Sequence, residues 1–281
     1  MTSDDHYNTI GMRPISAIDQ IFTVFSAQMR LFFRNKLLYM ILILTALVPI
    51  LGFSGLGESL LNMFDLTATS AYLLILLPLM AVAIPALLCG KLISSEFKDR
   101  TIYLNLPLPM SRTTFYIGKF LAGYVVSLGA IWTAMGFAFL AGQILYEPTY
   151  PYDLGMSMLV CAGGVFAVSA MAFALGTFLR RGSGILVMFL MLLLPFILLF
   201  TTLIVNPIES FEIEDPLGAL KLLPMYAPHQ SLWLIDNGFG GIPLITNIFT
   251  GGNSILYIIA SIIWGMAFLV LGTLRMKNKE M

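Results

Sequence analysis

The sequence predicts an all-α polytopic membrane protein with six transmembrane helices, and three observations carry that prediction. Apolar residues make up 58% of the 281 positions and charged residues 11%, where a soluble domain has roughly 45–50% and about 25%. The apolar residues gather in charge-free runs, each as long as the ~20 residues that a helix needs to cross the hydrocarbon of a bilayer. The basic residues gather in alternate connections between those runs, which sets the sense of insertion. Net charge is zero, so no global field draws the chain to nucleic acid.

Residues 1–14 are polar and acidic and contain no apolar stretch leading to a cleavage site, so no removable signal peptide is expected and the N-terminus is expected inside. Residues 15–34 place Ile18, Phe22, Phe25, Met29 and Phe32 on one helical face and Asp19, Thr23, Ser26 and Arg30 on the other. That pattern predicts an amphipathic helix lying in the membrane interface, with Arg30, Arg34 and Lys36 suited to anionic headgroups. A soluble amphipathic helix docked on a partner is the alternative.

Runs without a charged residue then define the spans: 37–57, 66–90, 120–146, 154–179 and 182–208, with a sixth at 253–274 after the Gly251-Gly252-Asn253-Ser254 break. With both termini cytoplasmic, every Lys and Arg except Lys221 falls on the inner side, whereas Glu58, Asp65, Glu147, Asp153, Glu209, Glu212, Glu214, Asp215 and Asp236 fall outside. Residues 209–252 form an external segment whose apolar pieces are too short to span and are broken by Pro224, Pro228 and Pro243. They are expected as short re-entrant or interfacial helices, acting either as a packing cap or as a gate.

The connection 91–119 stands apart. Lys91, Lys98, Arg100, Arg112 and Lys119 make it basic, yet Ile102, Tyr103, Leu104, Leu106 and Leu108 lie among the charges. Glu96 and Arg100 are four apart on a helical pattern, Pro107 and Pro109 break it, and Ser111 is placed to cap a second helix. The expected structure is helix, turn, helix, with a surface made to be covered. As a bare intrahelical pair, Glu96 and Arg100 would contribute only about 0.3–0.5 kcal/mol.

Several chemistries are excluded. The spans hold no Asp, Glu, Lys, Arg or His, the residues that mark ion or proton pathways. No phosphate loop occurs, so the chain is not expected to hydrolyse ATP. Ser183 and His229 fall on opposite sides of the membrane, about 30 Å apart, which rules out a serine protease pair. Met156, Met158, Met225 and His229 form no tight cluster, so they are expected as core filler with no metal. Cys89 and Cys161 lie at different depths, and no disulfide is expected.

The layout of spans, interfacial helix and structured second connection resembles the permease subunits of type-two ABC exporters, the type V exporter fold. The local likeness rests on Glu96, Thr101, Leu104, Leu106, Pro109, Ser111, Arg112, Gly118 and Lys119, which follow the family's order, with Arg100 where a Gly is usual. A weaker likeness is Pro228 followed by Ser231-Leu232-Trp233-Leu234-Ile235 before the last span. Without that Gly, an uninterrupted helix from Ser94 to about Leu104 is expected.

The resemblance implies one permease domain over 1–281 and a cytoplasmic coupling helix at 94–105 that sits in a groove of a separate ATP-binding subunit. Glu96, Phe97, Arg100, Thr101, Leu104 and Arg112 would form the contact, ATP and Mg would be bound by the partner alone, and two permeases would pair, most simply as a homodimer. The expected protein is thus a plasma-membrane exporter subunit without a cofactor or catalytic residue of its own. The competing expectation is a non-transporting anchor or sensor of the same fold that couples an ATPase to mechanical or assembly work. The uncharged spans favour a lipidic, amphipathic or peptide-like cargo.

Overall fold

A computed structural model of the chain describes residues 16–36, 38–43, 77–98, 111–145, 154–179, 184–187, 189–190 and 254–278. Five helices account for most of them: α1 (Ala17–Arg34), α2 (Leu77–Lys98), α3 (Arg112–Leu145), α4 (Leu154–Phe178) and α5 (Ser254–Asn278). Three of the five, α3, α4 and α5, contain stretches long and apolar enough to cross a membrane. The expected outer helices at 209–252 lie outside the described residues, as do most of the first and fifth expected spans.

The central element is α4. Its sequence alternates small and apolar residues on every side, including Ala162, Gly163, Ala167, Ala170, Ala172 and Ala174, so neighbours can approach it all round. It packs against α2, α3 and α5, and Val165, Val168 and Phe173 are wholly buried. On α2, Val82, Ala86, Cys89 and Ile93 recur at spacings of four, three and four and are all inaccessible to solvent, a single buried stripe of the kind that a packed helix requires. Pro85 lies inside α2, where its ring removes one backbone donor without ending the helix.

The seam between α4 and α5 is made close by small residues. A Cβ on Gly163 would stand 3.5 Å from Cβ of Ser261, ordinary contact distance, so the two backbones are as near as side chains permit. Further along, Gly272 lies against the Tyr116 ring, and no larger residue could occupy the same space. The opposite side of α5, including Ile259, Ile263, Met266 and Val270, is exposed and apolar. Residues 184–187 are helical and bring Gly184 against the backbone of Ala86, so the start of the fifth expected span adjoins α2.

Two helices extend beyond the charge-free runs that they contain. The helix that holds the run ending at residue 90 continues as α2 without interruption to Lys98, and α3 begins at Arg112, directly after the expected cap Ser111 and eight residues before the run that starts at 120. The reason is that the charged ends are protected by packing and pairing, so charge does not mark the end of the helix. At the other end of the chain, α5 continues past the charge-free run that ends at 274 and carries Arg275 and Lys277 in its last turn, where cations interact favourably with the helix dipole. Cys89 and Cys161 are both buried and are not joined in a disulfide.

Candidate functional site

The elbow between α2 and α3, with α1 laid against it, is the candidate site. The start of α3 is fixed by Ser111, whose Oγ accepts from the backbone N–H of Thr114 at 3.1 Å, as an N-cap should. The Thr114 hydroxyl donates to the Ser111 carbonyl at 2.8 Å and lies 3.2 Å from Oε1 of Gln20 on α1. One turn later, Gly118 brings α3 so close to α1 that a Cβ would stand 2.9 Å from both the Ile21 carbonyl oxygen and Cβ of Val24. The absence of a side chain at Gly118 therefore sets how near α1 can come.

Across the elbow, Lys119 of α3 donates to the Glu96 carboxylate of α2. Their side chains are 7% and 17% exposed. The ammonium also stands 4.8 Å from the centroid of the Phe115 ring, within reach of a cation–π attraction. Burial of an ion in apolar surroundings is costly unless an opposite charge meets it, so this pair holds the two helix ends together only while both members remain. The coupling of α2 to α3 at this point is electrostatic and directional, in contrast to the apolar packing deeper in the bundle.

Aromatic rings join this part of α3 to α4. Tyr116 and Phe173 have centroids 4.6 Å apart, and Phe120 is 5.7 Å from Phe173 and 5.6 Å from Phe166. These contacts tie the start of α3 to α4 over two turns. The Tyr116 hydroxyl is buried with no hydrogen-bond partner among the described residues.

Of the residues expected to meet a partner, Glu96 is part of the ion pair, Phe97 belongs to the last turn of α2, and Arg112 is the half-buried first residue of α3. Arg100, Thr101 and Leu104 lie outside the described residues. The expected local pair of Glu96 with Arg100 omitted the contact with Lys119, because residues 23 apart in sequence leave no trace in helical spacing. Gln20 and Gly118 were likewise not legible as a junction. The one available signal was the Gly118-Lys119 dipeptide placed just before a charge-free run.

The expected membrane face of α1 is divided. Phe32 is buried and Phe25 and Met29 pack partly against the core, whereas Ile18 and Phe22 remain exposed. Val24 and Gln28, which were not assigned to the apolar face, are buried. The cause is that α1 rests on α3, so the direction of burial is set by Gly118 and Thr114.

Long apolar helices around a small-residue centre, with a charged and capped elbow at one end, define a multi-pass helical membrane protein. Residues 32–196 match the family described as ABC-2 family transporter protein. The match covers more than half of the chain and includes the elbow, and the chain belongs to that family. It is accordingly a membrane permease component of an ABC transporter, a class that works with an ATP-binding subunit. No curated protein matches the chain.

Proposed function

We propose that the chain is the permease subunit of an ATP-driven exporter and that force from a separate ATP-binding subunit enters through the elbow of α2 and α3. The observation that carries this reading is the partly buried Glu96–Lys119 pair, which makes the two helix ends one mechanical unit. A push delivered to residues 94–105 would reach α3 directly through that pair and α4 through the rings of Tyr116 and Phe120. Glu96, Phe97, Arg100, Thr101, Leu104 and Arg112 form the docking surface in this reading, ATP and Mg belong to the partner, and two permease copies complete the transporter. Both termini lie on the cytoplasmic side of the plasma membrane, and cargo leaves outward.

The test is co-expression with the cognate ATP-binding subunit. Replacing Glu96 and Arg100 together by Ala is expected to weaken co-purification, or to leave assembly intact while abolishing permease-stimulated ATP hydrolysis. Normal assembly together with normal stimulation would overturn the docking assignment. Efflux of a labelled lipid or amphipathic peptide from vesicles then separates an exporter from an anchor that only recruits the ATPase.

A further inference from the structure

The surface of α1 has three sectors, which the packing on α3 makes distinct. One holds Val24, Gln28 and Phe32 and is buried. The next holds Ile18, Phe22 and Phe33, which are 77%, 68% and 57% exposed. The third carries Asp19, Thr23, Arg30 and Arg34 and is also exposed. A stripe of large apolar side chains bordered by charge is the surface of a helix that lies in a membrane interface.

Charge along α1 is segregated. Asp19 lies in the first turn and is bound to the Ser16 hydroxyl at 2.7 Å, whereas Arg30, Arg34 and Lys36 lie at the far end, where the chain turns towards its first span. Asp19 and Arg30 are about 16 Å apart along the axis by the helical rise, beyond one Debye length at physiological salt, ~8 Å. Among the described residues, none of the three bases forms an ion pair. The turn itself is held: the Asn35 N–H donates to the Phe32 carbonyl at 2.9 Å, and the Tyr39 hydroxyl donates to the Phe33 carbonyl at 2.9 Å. The backbone that carries the bases is thus held beside the apolar stripe.

We propose that α1 binds the anionic phospholipid leaflet through Ile18, Phe22 and Phe33 below and Arg30, Arg34 and Lys36 at the headgroups, and that this binding steadies α3 through Gly118 and Thr114. The permease is then regulated by the charge of its membrane. Neutral lipid supports the apolar contact only, and anionic lipid adds the electrostatic part. This deepens the elbow assignment, since α1 is the elbow's support, but its test requires no ATP-binding subunit and fails or succeeds independently of it.

The experiment compares the full chain in nanodiscs of phosphatidylcholine with the chain in mixed phosphatidylcholine and phosphatidylglycerol, by amide hydrogen exchange. Exchange in α1 is expected to slow in the anionic discs by about fivefold for each engaged base, hence up to roughly a hundredfold for three, and added salt should diminish the difference. Residues 114–120 should slow in parallel. Arg30→Gln, Arg34→Gln and Lys36→Gln together should abolish the lipid difference while keeping the exchange seen in neutral discs. Phe22→Ser should speed exchange in both. Equal exchange in the two lipids, a lipid difference that survives the triple replacement, or a response of α1 that residues 114–120 do not share would overturn the proposal. So would inorganic phosphate reproducing the effect in neutral discs, which would indicate a free-anion site.

Discussion

Lys119 is a charge within an apolar bundle, and its burial is tolerable because Glu96 reaches it from another helix. Breaking such a pair leaves the remaining ion poorly solvated, whereas replacing both members removes the difficulty. Lys119→Met is therefore expected to destabilise the protein by about 2–3 kcal/mol, below the range for a fully buried pair because Glu96 retains some solvent. Glu96→Gln with Lys119→Met should recover most of the loss. Thermal unfolding of the purified protein in detergent measures both, and a double variant no better than Lys119→Met alone would remove the pair from the account. Tyr116 leads to an expectation of opposite sign. Its hydroxyl is buried and has no partner among the described residues, a state that disfavours the fold by about 1–3 kcal/mol, so Tyr116→Phe should be neutral or stabilising in the same assay. A clear loss would mean that the hydroxyl has a partner. Neither residue could be assigned this part from the sequence, since both depend on neighbours far away in the chain.

Helices themselves were more legible than their ends. Charge-free runs located α4 to within a residue of its observed limits, because nothing in 154–179 competes with a membrane span. The charge-free runs ending at 90 and starting at 120 stop about two turns short of the ends of α2 and α3, because Glu96 and Lys119 neutralise each other inside the packed region. Ser111 was legible as a cap because capping is local: residue type and position suffice. Ser111→Ala is expected to cost about 1 kcal/mol. Docking of α1 was not legible, since amphipathic spacing gives the direction of the apolar face without saying whether lipid or α3 lies against it. Gly118 decides that question for half of the face. Gly118→Ala must displace both the Ile21 carbonyl and Val24, each 2.9 Å from the new atom, and is expected to cost about 1–3 kcal/mol. Hydrogen exchange should rise in α1 and stay unchanged along the seam of α4 and α5, whereas a uniform rise would point to general destabilisation.

At the scale of the molecule, polar and charged contacts among the described residues are unevenly distributed. The seam of α4 and α5 relies on Gly163, Ser261 and Gly272, which hold by close approach and allow little rearrangement. The elbow relies on an ion pair, a cap and a glycine contact, which are directional and can be made or broken as units. A permease with a stiff body and a separable charged elbow must keep that elbow on the side where nucleotide is bound, so the sense of insertion is part of the functional argument. Cys89 and Cys161 are buried, so the native thiols should remain silent to a membrane-impermeant maleimide. Single replacements Lys98→Cys, Lys221→Cys and Lys277→Cys then report position against a quiet background. Lys221→Cys is expected to label in intact cells, and the other two only after permeabilisation, because positive charge is retained on the cytoplasmic side. Labelling of Lys98→Cys from outside would place the elbow away from ATP and overturn the transport reading. Labelling of Lys277→Cys from outside, with Lys98→Cys protected, would change the parity of the spans between α2 and α5 while leaving the elbow where force can reach it.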